Sequence, residues 1–397
     1  MKFTSSTIVL GLSRLLALFR PGIGRFGYEL EEPPLRSELF SADQMEQHGK
    51  VLAGSHSLGA KHPRDLLLRR LEENERLLLE ACDVLTAAAR MGHPATPAGE
   101  WLLDNFHLIQ EQIRTARRHL PKDYSRELPR LDSGPSAGLP RVYDIALETI
   151  SHGDGQVDAR SFGRFVAAYQ TVNTLTLGEL WAVPIMLRLA LIENLRRAAT
   201  RIIAHRLGRD LADFWAQRMT ETVQDDPKSL ILVVADMARS NPPMSSSFVA
   251  ELARRLQGQS AALAMPLNWI EQRLSEFGLS IAQLVQSENQ QQAADQVSIS
   301  NSISSLRLLA ATDWHAFVEE SSTAERILRE DPAGVYGRMD FASRDQYRHA
   351  LERIARRSGL QEEDVARRCL SLAHEATARA DGDAREGHVG YYLVGRG

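Results

Sequence analysis

Leu175–Arg197 reads LTLGELWAVPIMLRLALIENLRR, and the fold turns on how this stretch is interpreted. Its centre, Leu180–Leu195, is almost wholly apolar, yet it holds Arg188 and Glu193 and follows Glu179. An arginine at mid-bilayer costs about 2.5–3.5 kcal/mol on insertion scales. The apolar run between the charges is also too short to span. The stretch therefore predicts a helix buried inside a water-soluble fold. Pro184 is expected in a first turn or at a kink, because a mid-helix proline costs about 3 kcal/mol.

Outward from this segment the apolar spacing is helical nearly everywhere. Leu67, Leu71, Leu78 and Leu79 recur on one side of Leu66–Arg90, with Arg and Glu between them. Thr96-Pro97 opens the helix containing Trp101, which Pro121 closes, and Leu102, Phe106, Ile109 and Ile113 form its stripe. Asp158 is a cap for the helix carrying Phe162, Phe165 and Tyr169. Gly208 is a stop between Leu180–Leu207 and Leu211–Thr222. Leu230–Val234 has strand-like composition but no partner, and is read as helix. Gln286–Ser305, rich in Gln, Ser and Asn, is a polar helix or flexible crossing. The prediction is all-α, a multi-helix bundle or irregular helical stack with no sheet. The expected core includes Leu102, Phe106, Trp181, Leu187, Leu189, Phe214, Trp269 and Trp314.

Leu128–Pro140 holds three prolines with Gly134 and Gly138, which marks a linker or turn-rich boundary. The sequence divides into an N-terminal apolar helix and Gly-rich connector (1–30) and helical subdomains at 31–135, 136–226 and 227–397. Within 397 residues, 43% are hydrophobic and 25% charged, with a formal net charge of -4. That balance exerts no pull towards nucleic acid. Cys82 and Cys369 lie far apart and form no CxxC, so they are read as reduced buried thiols. Ile8–Phe19 would make a helix only about 18 Å long against a hydrocarbon core of about 30 Å. It is taken as a packed helix, with interfacial attachment as the alternative, and no transmembrane span is expected anywhere in the chain.

The chemical motifs fail on context. Gly22–Gly27 matches GxGxxG but lacks the preceding strand and following helix that bind pyrophosphate. Asp154–Asp158 resembles half a calcium loop, with Ser161 where the bidentate Glu belongs. His107 and Glu111 are one helical turn apart with no third ligand, and are read as a solvent-facing pair. Asp104 and Glu111 are separated by a rise of about 10.5 Å, too long for most glycosidase pairs. Asp381-Gly382-Asp383 has a DxD form, but after an Ala-rich helix rather than a sheet strand. Arg114–Arg118 and Arg196–Arg206 are read as solvated faces or domain contacts. No catalytic, cofactor or metal residues are assigned, and no nucleophile elbow is present.

Three phrases remain: Trp101–Arg114 with Leu120–Leu131 (WLLDNFHLIQEQIR, LPKDYSRELPRL), Leu175–Arg197, and Asp331–His349 (DPAGVYGRMDFASRDQYRH). Together they resemble the N-terminal region of bacterial cyclic β-1,2-glucan synthases. The resemblance implies an inner-membrane enzyme that polymerises glucose from UDP-glucose on the protein itself and cyclises the chain. A phosphorylase-like C-terminal domain adjusts chain length. It implies that UDP-glucose and a divalent metal serve a transferase lying beyond this sequence, and that no cofactor belongs to this chain. Its partners would be the membrane and transferase domains of the same synthase and the glucan chain. Its place would be the cytoplasmic side of the inner membrane, as a non-catalytic scaffolding or regulatory region. A free-standing helical adaptor without sugar chemistry is the alternative. Tyr391 and Tyr392, in the exit segment His388–Leu393 (HVGYYL), are candidate glucan acceptors, weighed against an aromatic anchoring role.

Overall fold

In a computed structural model of the chain, Leu177–Asp225 forms one continuous helix. The structure describes residues 35–59, 66–92, 95–120, 127–379 and 385–395. In chain order the helices are α1 (Ala42–Ser55), α2 (Leu66–Arg90), α3 (Pro97–Asp104), α4 (Phe106–His119), α5 (Arg141–His152) and α6 (Ala159–Gln170). Then come α7 (Leu177–Asp225), α8 (Leu230–Ser240), α9 (Ser246–Leu256), α10 (Ala264–Ser275) and α11 (Ile281–Ala311). The last are α12 (Trp314–Ser321), α13 (Thr323–Leu328), α14 (Phe341–Ser358), α15 (Glu362–Thr377) and α16 (Val389–Val394). Extended pairing among the described residues is limited to the isolated bridges Leu58–Leu131 and Arg130–Pro140. The fold is all-α, as the periodicity predicts. Among the described residues no helix is long and apolar enough to cross a membrane.

The chain gathers into two compact units, each drawn from separate stretches. Among the described residues, one comprises 35–36, 72–92, 95–111 and 192–304. Its core packs Ala212, Trp215, Met219 and Met237 with Phe248, Leu252, Ile270 and Leu274. The other comprises 37–59, 66–71, 112–120, 127–191, 305–379 and 385–395. There, α1 lies against α6, and a second cluster joins Leu328, Tyr336, Leu351, Val365, Cys369, Val389 and Leu393.

Local chemistry sets most helix ends. The Thr96 hydroxyl accepts from the Gly99 amide, with Pro97 in the first turn of α3. Asp158 accepts from the Ser161 amide at 2.7 Å and caps α6, whose Phe162, Phe165 and Tyr169 are buried. The Trp101 helix, expected to be single, is two. Buried Asn105 turns its side-chain amide onto the Trp101 carbonyl at 2.9 Å, and the chain restarts at Phe106. Strand-like Leu230–Val234 is helical.

One expectation about α7 needs correction. Gly208 is not a stop, since α7 runs through it. A Cβ there would sit 2.4 Å from Ser247 Oγ and 3.2 Å from Ser245 Oγ, so the glycine admits the N-terminus of α9. Pro184 lies inside the helix beyond its first turn, where it cannot supply the usual N–H to the Leu180 carbonyl. The polar stretch around Gln286–Ser305 is an ordered part of α11 with Ser298, Ser302 and Ser305 buried.

Residues 128–140 are turn-rich but packed rather than a free linker. The Gly59 amide donates to the Arg130 carbonyl, and the Leu131 amide donates to the Leu139 carbonyl. Leu128, Leu131 and Leu139 are all buried. The core list is right for Leu102, Leu187 and Leu189, which are buried. Phe106, Trp181, Phe214, Trp269 and Trp314 are only partly so. Trp215, next to Phe214, takes the buried place in the core.

Candidate functional site

The third phrase and the HVGYYL segment are far apart in sequence, and one carboxylate joins them. Asp331 Oδ2 accepts from the amides of Val335 at 3.0 Å and Tyr336 at 3.1 Å, and from His388 Nδ1 at 2.9 Å. Its Oδ1 accepts from the Val389 amide at 3.0 Å. The phrase thus folds a turn around Asp331, and the same side chain holds the start of α16. Burial alone would raise the Asp331 pKa. The bonds from Val389, Tyr336 and His388 outweigh that and hold the carboxyl below its ordinary value. Gly390 is the second fixed point. A Cβ there would fall 2.6 Å from the ring and hydroxyl of Tyr347 and 2.7 Å from His388 Nε2, so a larger residue would have to displace those two side chains.

Asp331, His388 and Tyr347 stand in the order of a carboxylate–imidazole–hydroxyl relay, but their geometry makes a support. His388 Nε2 is 3.5 Å from Tyr347 Oη, longer than a working proton-transfer contact. Burial raises the Tyr347 pKa, which disfavours a phenolate. Asp331 is already engaged by backbone amides.

Beneath this turn lies a knot of charges from α12, α13 and the third phrase. Glu325 is fully buried. It accepts from Tyr336 Oη at 2.7 Å, Arg348 Nη1 at 3.1 Å and Arg329 Nε at 3.0 Å. Arg344 donates to both Glu319 oxygens, at 2.8 and 2.9 Å. The Arg348 guanidinium lies over the Phe341 ring, 4.6 Å from its centroid. Desolvation and the nearby Glu325 push the Tyr336 hydroxyl pKa up. The phrase therefore encodes a pre-arranged ion network, with each charge fixed by a partner.

The charges of the second phrase have the same explanation. Glu179 takes a two-pronged contact from Arg141, at 2.5 and 2.7 Å, and accepts from the amide and hydroxyl of Thr176. Arg141 also donates to Asn173 Oδ1 and the Thr174 carbonyl. Arg188 donates to Gln112 at 2.8 Å. In the other unit, Glu193 is fully buried and accepts from Asn74, Arg196 and Arg197. Asn194 donates to Ser298 and Ser302. Each charge of this apolar stretch thus has a partner, on a neighbouring element or within the helix itself.

Glu362 is the exception in its protonation. Its carboxyl caps α7 by accepting from the Leu177 amide at 2.7 Å. Burial, with Glu352 and Glu179 close by, pushes its pKa up to about 7. A carboxyl raised in the folded state stabilises the fold while protonated. That contribution is complete below about 4.5 and is lost as pH rises through about 7. Its full size is about 3 kcal/mol. Glu362→Gln keeps the cap without the charge. It is expected to match the parent near about pH 5 and to be more stable by about 1–3 kcal/mol near about pH 8. Urea melts at the two pH values measure this, and equal differences at both would contradict it.

The residues singled out in sequence fall as follows. Tyr391 and Tyr392 lie on α16, both half-buried, with ring centroids 5.3 Å apart and edge to face. Tyr392 Oη donates to the Leu372 carbonyl at 3.3 Å, and its ring packs on the cluster around Val389 and Leu393. Asp104, His107 and Glu111 are exposed. Arg114, Arg117 and Arg118 are exposed. Cys82 and Cys369 are buried thiols, their pKa values pushed up to about 12 and about 11 by burial. The Gly22–Gly27 motif, Ile8–Phe19 and Asp381–Asp383 lie outside the described residues. Sequence reasoning missed the pairing of Asp331 with His388. Nothing local in the third phrase signals that pairing, because His388 lies 57 residues further along the chain.

These features define an all-helical module whose buried charges are closed into internal networks. No protein-family model matches the chain. Over 366 residues, 91% of the chain, it is 33% identical to the Cyclic beta-(1,2)-glucan synthase NdvB of Rhizobium meliloti (strain 1021). The resemblance read from the three phrases is borne out. The chain spans 13% of the length of NdvB.

Proposed function

We infer that this chain is a scaffolding or regulatory region of a cyclic β-1,2-glucan synthase and performs no sugar chemistry itself. The observation that carries this reading is the 33% identity along 366 residues, which runs through helices whose buried charges are structural partners. On this reading the glucosyl transfer from UDP-glucose, with its divalent metal, belongs to other domains of the synthase. Those domains and the growing glucan are this region's partners, at the cytoplasmic face of the inner membrane. On this reading α16, held at its start by Asp331, is the point from which the region meets those domains. Tyr391 and Tyr392 serve as packing anchors in that attachment. Tyr392 supports this most directly, because its hydroxyl is engaged by the Leu372 carbonyl. The test is a chimaera in which this chain replaces the matched segment of NdvB. Cyclic glucan synthesis is expected to continue. Well-expressed chimaera without glucan would overturn the reading.

A further inference from the structure

Away from the Asp331 clamp, α1 and α5 bring two imidazoles and a carboxylate to one point. His48 lies on α1, and Glu148 and His152 are one turn apart on α5. Glu148 Oε2 is 2.7 Å from His48 Nε2 and 3.3 Å from His152 Nε2. The three ligand atoms all lie within 4.8 Å of one another. Side-chain exposures of 23%, 30% and 10% for His48, Glu148 and His152 leave the point sheltered but open to entry.

The surroundings fix these rings in place. Phe40 stacks on His152 with centroids 3.8 Å apart and planes 9° apart, and stands edge-on to His48 at 5.5 Å. Phe165 lies parallel to His48 at 6.3 Å. The Ser37 amide donates to the Ser151 carbonyl, and the Phe40 amide to the His152 carbonyl, which pins the preceding loop to the end of α5.

One hydrogen bond decides the chemistry. His152 Nδ1 is 2.7 Å from the Glu38 carbonyl oxygen, and a carbonyl only accepts, so Nδ1 carries the proton. In the neutral ring, Nε2 then presents a lone pair. That lone pair faces the Glu148 carboxylate at 3.3 Å, where a cation belongs between the two, either a proton on Nε2 or a metal ion. An imidazole with its far nitrogen tied to a carbonyl is how metal-ligating histidines are oriented. A Glu and a His one helical turn apart share a face, as paired helix ligands do. The site also sits at the C-terminal end of α5, where the helix dipole favours positive charge.

We propose that His48 Nε2, Glu148 Oε2 and His152 Nε2 bind one divalent zinc-class ion, with a fourth position open to water. Nitrogen ligands select this class over magnesium or calcium, which prefer all-oxygen shells. Bonds of about 2.0–2.1 Å in a tetrahedron place ligand atoms about 3.3 Å apart. The His152–Glu148 pair already has that separation. The His48–Glu148 pair opens by about half an ångström as the His48 Nε2 proton is replaced by the ion, the neutral ring keeping its one proton on Nδ1. The ion would tie α1 and the loop around Phe40 to α5.

The test uses the full chain, stripped with chelator and titrated with zinc chloride, with bound metal counted by elemental analysis. One equivalent of zinc is expected per chain, together with a rise in Tm that magnesium does not reproduce. Cobalt(II) should give the intense visible bands of a tetrahedral site. His48→Gln and Glu148→Gln, each checked for native helix content, should weaken zinc binding about 100-fold or more. If a His48 variant disturbs α1, His152→Asn reads the same loss from the other helix. No stoichiometric zinc in the parent chain, or undiminished binding in these variants, would overturn the proposal. The second outcome would place the metal elsewhere, and the first would leave a hydrogen-bonded His–Glu–His cluster.

Discussion

Arg141→Met is expected to lower the Tm by about 10 °C, which corresponds to a loss of about 3–5 kcal/mol. The side chains of Arg141 and Glu179 are 2% and 0% exposed. Removing the guanidinium leaves the carboxylate with only the Thr176 donors at the start of α7. A buried charge without its counter-charge is the costly state. The double variant Arg141→Met/Glu179→Leu removes both charges and should recover most of the loss. That recovery separates a desolvation penalty from a packing defect. Thermal melts followed by circular dichroism give both numbers. If the double variant melts no higher than the single one, the account of the pair is wrong.

Asp331→Ala is expected to free α16 while leaving the rest of the unit folded. It removes the acceptor for the Val335, Tyr336 and Val389 amides and for His388 Nδ1. Each orphaned buried donor costs about 1–3 kcal/mol, and these do not add in full because α16 can detach and reach water. A local loss of about 3 kcal/mol means opening on the order of 100-fold more frequent. Hydrogen exchange at the Val335, Tyr336 and Val389 amides should quicken by that factor, while α7 amides keep their protection. Asp331→Asn retains one carbonyl acceptor and should show a smaller effect. Global unfolding in place of local release would mean that the clamp supports the whole unit rather than α16.

The parts of the fold that were legible in sequence rest on local physics. Thr96-Pro97 and Asp158 announce helix starts because the donors they satisfy lie within three residues. The apolar run of α7 was legible as a buried helix rather than a span because Glu179, Arg188 and Glu193 interrupt it. The partners of those charges were not. Arg141, Gln112 and Asn74 lie far off in sequence, and a charge pattern says only that partners exist. Gly208 was misread as a stop for the same reason. A glycine near a helix end and a glycine at a close contact look alike until Ser247 is placed against it. Asn105 shows the reverse. The stripe runs through it unbroken, yet its amide closes back on Trp101 and ends α3.

The candidate site was legible as a set of phrases but not as an assembly. Asp331–His349 stood out as a dense run of charges and aromatics, and His388–Leu393 as a Gly-flanked exit. One carboxylate linking them across α14 and α15 is a property of the fold. His48, Glu148 and His152 carried only a weak sequence signal, a Glu and a His one turn apart, with the second histidine on another helix.

The central claim, that this region supports glucan synthesis through its architecture, is tested most directly by cyclic glucan yield in a synthase null strain. Three NdvB forms are compared at equal expression: intact, lacking the matched segment, and carrying this chain in its place. The account predicts glucan from the intact and exchanged forms and little from the deletion. Full yield from the deletion, with glucan of the same ring size, would contradict it.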